Sequence, residues 1–333
     1  MKRFVAALML PAFLLACGSG SNPFEPDPAP PAEDPAPDPG DEENPVTEAG
    51  IPQSLAGDLT RVSFNPNTVP PTLSVEGVTL DDEPFIANYR RRPGLDRNGY
   101  IAFTAQDDPL DRHFTAYGRE ANNNSGVRAG VVVSGGVRNR FLGGGYYERD
   151  GAYTPPNPAT TTGLVSYAGN YVGLINVGGS SEDLAPVPGG TDPDLAPLQA
   201  AEVTGNILIQ ADFADNAVEG NIYNRQILDT ATVLPSIVLL NTSIDPTTGT
   251  FLGDTEYEAG DFPGENVIGT DIGDYGGIFG GTNASGVAGT IHLEQWDGPN
   301  NPLGFEGEEE YGVFVLDQCG QPVDDPICAG VNP

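Results

Sequence analysis

Val203-Thr-Gly205-Asn-Ile207-Leu-Ile209-Gln-Ala211-Asp-Phe213, then Ala214-Asp215-Asn216, then Val218-Glu-Gly220-Asn-Ile222: this stretch decides the fold. Val203, Ile207, Ile209, Ala211 and Phe213 recur every second residue, which puts them on one face of an extended chain. Ala214-Asp215-Asn216 supplies residues that favour a tight reversal. The run that follows resumes the same pattern, so the segment predicts a β-hairpin.

Working outward, six further runs share this character: Leu164–Val177, Ser236–Ile244, Gly249–Glu258, Tyr275–Gly281, Gly286–Trp296 and Tyr311–Asp317. With Ala201–Phe213 and Val218–Arg225 they make eight. Short connections such as Asp245-Pro-Thr-Thr-Gly249 and Gly281-Thr-Asn-Ala-Ser285 suit hairpins. Two others, 178–200 and 297–310, are longer, acidic and rich in Pro and Gly. No long stretch has helical period, so the body is predicted to be all-β. Eight antiparallel strands close into a barrel that side chains alone fill, and closure removes the exposed edges that invite aggregation.

Four segments carry a family resemblance: Tyr167-Ala-Gly-Asn-Tyr171-Val-Gly173, Gly205 to Phe213, Val218 to Ile222, and Gly276-Gly-Ile278-Phe279-Gly280-Gly281. In order and spacing they resemble the barrel of the transferrin-binding protein B-like surface lipoproteins, over roughly 160–319. The resemblance implies a β-rich handle domain before the barrel and display on the outer face of the outer membrane. It also implies capture of an extracellular ligand, with an iron or haem carrier protein among the candidates. The two-lobed members repeat handle and barrel, whereas this chain has room for one lobe. A protective coat lipoprotein without a specific ligand is the alternative.

The N-terminus points to the same compartment. Met1-Lys2-Arg3 is a basic start, and the apolar run Phe4–Ala16 is too short to cross a bilayer core of about 30 Å as a helix; it fits a signal peptide, 1–16. Leu14-Leu15-Ala16-Cys17 resembles the lipobox of bacterial lipoproteins, which implies cleavage before Cys17 and acylation of that residue, so that the chain meets the membrane through lipid. Residues 17–50 then alternate Pro with Asp, Glu and Ala, carry nine carboxylates and no base, and cannot repay the entropy of ordering. They read as a tether that spans on the order of 100 Å if extended as polyproline II. The handle is expected over 51–158, the barrel over 159–319 and a short tail over 320–333.

Charge is divided unevenly along the chain. Of 47 acids and 14 bases overall, residues 51–150 hold eleven Arg against twelve acids, while 151–333 hold Arg225 against 26 acids. Nucleic acid as a partner needs a basic footprint that is missing here. A surface this acidic suits solubility, or attracts a cationic protein or divalent ions. A monomer is expected.

Cys319 and Cys328, nine positions apart in an exported chain, read as a disulfide closing a small loop at the C-terminus. Arg90-Arg91-Arg92 is a compact basic patch: a ligand contact, a partner for the chain's own acidic barrel, or a solvated turn. Gly143-Gly-Gly145 lacks the Lys-Ser/Thr of a phosphate loop and reads as a tight turn or bulge. His113, beside Asp107-Asp108 and Asp111-Arg112, is a candidate ligand contact or part of a satisfied polar turn. His292, in Thr290-Ile-His-Leu-Glu294, faces either the barrel interior or solvent. Neither His sits in a nucleophile–base motif, and no calcium-loop framework occurs. Thus no catalytic residue, metal site or resident cofactor is predicted, and haem or iron would come only by way of a carrier.

Overall fold

The computed structural model describes residues 50–78, 84–136, 140–157, 163–305, 307–322 and 324–331. Cys17, the signal segment and the tether up to residue 49 lie outside them. Seven strands come first: β1 (Leu59–Asn65), β2 (Thr72–Val78), β3 (Pro84–Arg91), β4 (Ile101–Ala105), β5 (Phe114–Glu120), β6 (Val127–Ser134) and β7 (Gly143–Arg149). They form a meander in which each strand pairs antiparallel with its sequence neighbour. A four-residue helix, α1 (Gln53–Ala56), precedes it.

The second sheet holds β8 (Leu164–Gly178), β9 (Ala200–Asp212), β10 (Ala217–Ile227), the two-residue β11 (Thr232–Val233), β12 (Ile237–Ser243), β13 (Thr250–Tyr257), β14 (Asp271–Gly280), β15 (Gly286–Glu294) and β16 (Glu309–Asp317). Pairing of β8 with both β16 and β9, and of β9 with β10, closes eight of these strands into an antiparallel barrel; β11 only extends the end of β10. The Val203–Ile222 hairpin is β9–β10, with Ala217 opposite Asp212.

Side chains fill the barrel. Val203, Ile207, Ile209 and Ala211 point inward, as their period requires, and join Ile222, Ile237, Tyr275 and Ile291. Phe279 packs against Phe213, Phe251 and Tyr167 at centroid distances of 5.1 to 5.5 Å. Among them lies one ion pair. Arg225 Nη2 donates to Glu310 Oε2 at 2.6 Å, and both side chains are 0% exposed. Tyr171 donates to the other Glu310 oxygen at 2.5 Å, Arg225 Nη1 to the Pro235 carbonyl at 2.6 Å, and the guanidinium stands 5.0 Å from the Trp296 ring. The one base in the acidic half of the chain is therefore spent inside the barrel.

Three barrel strands are apolar on both faces, and this places the handle. Val172 and Leu174 of β8, Ala288 of β15, and Tyr311, Val313 and Val315 of β16 point outward and pack with Val127, Ala129, Val131 and Val133 of β6. The Gly143-Gly-Gly145 run is the start of β7, paired with Val133, Val132 and Val131, and not a turn or bulge. Its lack of side chains is steric. A Cβ on Gly144 would lie 1.9 Å from the Ala56 carbonyl oxygen, and one on Gly145 2.6 Å from Thr290 on the barrel. The glycines let α1 and the barrel wall press against the sheet.

Tyr100 joins the two parts at a gap in the barrel wall. The β16–β8 ladder runs from Glu310–Ile175 to Phe314–Tyr171 and resumes only at the single Tyr167–Gln318 bridge. In the opening, the buried Tyr100 hydroxyl donates to the Asn170 carbonyl at 3.0 Å and accepts from the Val315 N–H at 2.9 Å. A handle side chain thus satisfies backbone groups that the barrel leaves unpaired.

Candidate functional site: the loop crown and its latch to the handle

In an antiparallel barrel, alternate connections emerge at the same end. At one end here they are short: 213–216, 244–249 and 281–285. At the other they are all long, 179–199, 228–236, 258–270 and 295–308. These four loops hold eleven carboxylates and no basic residue. They form an acidic crown at one end of a barrel whose interior is already filled.

The 179–199 loop folds back onto the handle, and there the structure brings together three of the sequence-predicted residues. Asp183, almost fully buried, receives the Arg92 guanidinium on Oδ1, with Arg90 3.9 Å away. Its Oδ2 accepts from the Thr104 hydroxyl and lies 3.3 Å from His113 Nε2. The loop backbone is held too: Asp183 N donates to Gln199 Oε1 at 3.0 Å and Ala185 N to Gln106 Oε1 at 2.9 Å. Arg90, Arg92, Thr104 and Gln106 line a concavity of about 330 Å³ with residues 182–185. Arg91 turns away, to Asp96 at 2.5 Å and to the Phe103 ring.

His113 is neutral in this setting. Burial first, then the Arg92 and Arg90 charges, push its imidazole down to about 4. Asp183 opposes that shift, but its charge is already shared among two guanidiniums and a hydroxyl. The arrangement ion-pairs a buried carboxylate with Arg92 and ties the 179–199 loop to the handle. Its chemistry is that of a latch.

A second clamp, which sequence reading did not single out, joins Arg97 of the handle to Glu202 of β9 at 2.5 Å. Burial raises the Glu202 carboxyl, against the pull of Arg97. Sequence offered no signal for it beyond an isolated Arg and an acid 105 positions apart. His292 points outward from the barrel, its ring stacked on Tyr311 at 4.3 Å. Cys319 and Cys328 are bonded, with Cα atoms 5.3 Å apart, and pack against Ala168 on the outside of β8. Among the described residues, no helix is long and apolar enough to cross a membrane.

No family model matches this sequence, and no curated protein does. Solved structures similar to it include a double mutant of the vaccine antigen transferrin binding protein B from Haemophilus parasuis Hp5, at 11% identity and TM-score 0.34, covering 74% of this chain and 51% of that one. The isotype 1 transferrin binding protein B from serogroup B Neisseria meningitidis is similar at 15% identity and TM-score 0.32, covering 81% and 53%. This chain spans about half the length of either. The likeness is one of fold.

Proposed function

We propose that this chain is a lipid-anchored protein of the bacterial outer membrane, displayed at the cell surface, that binds an extracellular protein through the acidic crown and the adjoining handle. It is a binding protein, not an enzyme. The observation that carries the reading is the asymmetry of the barrel ends: one is closed by tight turns, and the other bears four long loops with eleven carboxylates and no base. A filled interior leaves no room for a small ligand within the barrel. A partner with a basic face gains both attraction and faster encounter from such a crown. Iron and haem carrier proteins come first in the search because the similar solved structures are named for transferrin. The Cys17 anchor and the Pro-rich tether supply the reach.

The test is a binding panel. Residues 18–333, immobilised, are offered transferrin, haem carriers and basic extracellular proteins at several salt concentrations. Capture of one partner, weakened by salt and by Asp→Asn and Glu→Gln changes in the crown, supports the reading. Silence across the panel, with loops that tolerate those changes in living cells, favours a protective coat instead; the high net charge suits that second reading. Protease shaving of intact cells reports display, and mass spectrometry of the N-terminal fragment reports acylation at Cys17.

A further inference from the structure

The geometry points to a divalent-cation site of the zinc class, formed by His292, Glu294 and Glu309 at the root of the 295–308 loop. It stands apart from the proposed capture of a protein and does not depend on it.

Strand register creates the cluster. On β15, Ile291 and Leu293 fill the barrel, so the period of two turns His292 and Glu294 outward. On β16, Glu310 and Phe314 point in, and Glu309 and Tyr311 point out. Pairing sets His292 opposite Tyr311 and Glu294 opposite Glu309. One imidazole and two carboxylates thereby offer donor atoms that all lie within 4.8 Å of one another. Handle packing covers this face of the barrel further down, and the three residues sit just past its rim.

Three features favour a cation over a plain surface pair. The imidazole is held in place: its ring lies flat on Tyr311, at 7° between planes, and Tyr311 in turn stacks on Phe141. Its Nε2 is 3.0 Å from Glu309 Oε1, and the side chains of His292 and Glu309 are largely covered, at 15% and 28% exposure. Secondly, Glu294 and Glu309 face each other directly across the strands, and like charges in that position destabilise a sheet unless something neutralises them. Thirdly, Asp274 stands opposite His292 on β14. That places one more carboxyl group beside the cluster, from the neighbouring strand.

An imidazole among carboxylates selects first-row transition ions over calcium and magnesium, which take oxygen donors alone. Three protein donors leave a coordination position open to water, as in zinc sites that are not purely structural. An ion here would tie together the strand ends on either side of the acidic 295–308 loop.

The experiment uses tag-free protein, residues 18–333, stripped with chelator and titrated with zinc against a chromophoric chelator, and with calcium and magnesium in parallel. One equivalent of zinc is expected to bind at least about 100-fold more tightly than calcium. His292→Ala and Glu294→Gln should each weaken zinc by more than about tenfold, the loss typical even of outer-shell partners. Asp194→Asn, in a different crown loop, should leave zinc affinity unchanged. Circular dichroism verifies folding. Should His292→Ala unfold the chain, the exposed Glu294→Gln decides alone. The proposal is overturned if the His292 and Glu294 variants bind zinc as tightly as the parent, if calcium competes equally, or if His113→Asn removes binding while His292→Ala keeps it.

Discussion

Replacing Glu310 with Gln keeps its volume and leaves the Arg225 guanidinium charged, buried and without a counter-ion. Both side chains are 0% exposed, so solvent screening, which reduces exposed pairs to about 0–1 kcal/mol, does not operate. Removing one member of a buried pair costs about 3–5 kcal/mol, because the remaining charge stays desolvated. The Tyr171 hydroxyl also loses its charged acceptor. In a body of this size 1 kcal/mol moves Tm by about 2–4 °C, so Glu310→Gln should lower Tm by roughly 6–20 °C. Urea unfolding with an unchanged slope would give the free energy directly. The companion variant Arg225→Met/Glu310→Leu removes both charges and should recover most of the loss, since an apolar pair of similar volume replaces a buried ion pair at little cost. A loss below about 1 kcal/mol for Glu310→Gln would refute the reasoning, as would a double variant no more stable than the single one.

Tyr100→Phe strands the Val315 N–H and the Asn170 carbonyl in the gap of the barrel wall, and should cost about 1–3 kcal/mol by urea unfolding while leaving secondary structure intact. Gly144→Ala puts a methyl 1.9 Å from the Ala56 carbonyl oxygen and should cost about 1–3 kcal/mol or more by overpacking, whereas Gly94→Ala, with open space around it, should fall within about 0.5 kcal/mol of the parent. His113 takes up a proton near 6.5 when unfolded but only near 4 when folded; below 6.5 the unfolded state binds more protons, so stability drops as pH falls toward 4. The contribution is about 3 kcal/mol, it is complete above pH 6.5, and comparison with His113→Asn at matched pH should show the parent losing more across that window. Replacing Cys319 and Cys328 by Ser should cost about 2–3 kcal/mol by loop entropy and loosen the outside of β8.

The barrel was legible in the sequence because its strands alternate, with hairpins marked by Asp, Asn and Gly. Val203 to Phe213 shows one inward face, and one face is all that periodicity can report. The handle was harder. Val127–Ser134 reads as a strand, but Gly143–Arg149 does not, because β propensity scores side chains and the packing there requires their absence. In β8 and β16 the loss of alternation at Val172–Ile175 and Val313–Leu316 was itself a signal: strands apolar on both faces must be covered on both. The candidate site was legible only in part. Arg90, Arg92 and His113 stood out by composition, yet their common partner Asp183 lies 70 positions from His113, a closure that local pattern does not encode. The His292, Glu294 and Glu309 cluster needs the register of β15 on β16, known only once the strands are paired.

Pairing also changes the meaning of the charge asymmetry. An Arg-bearing handle beside an acidic barrel suggests two faces for two kinds of partner. Instead Arg92 and Arg90 meet Asp183, Arg97 meets Glu202, and Arg149 donates to the Phe279 and Thr248 carbonyls of the barrel. Arg225, the only base of the second half, is sealed within the barrel by Glu310. Much of the positive charge is therefore spent on joining handle to barrel and on filling the barrel. The carboxylates are not spent in the same proportion: the four long loops contain no base, and of their acids only Asp183 has a guanidinium partner among the described residues. Part of the chain's surplus of negative charge is thus carried by these four loops at one end of the barrel. That is where a basic partner would be recognised and where a cation at His292 would act.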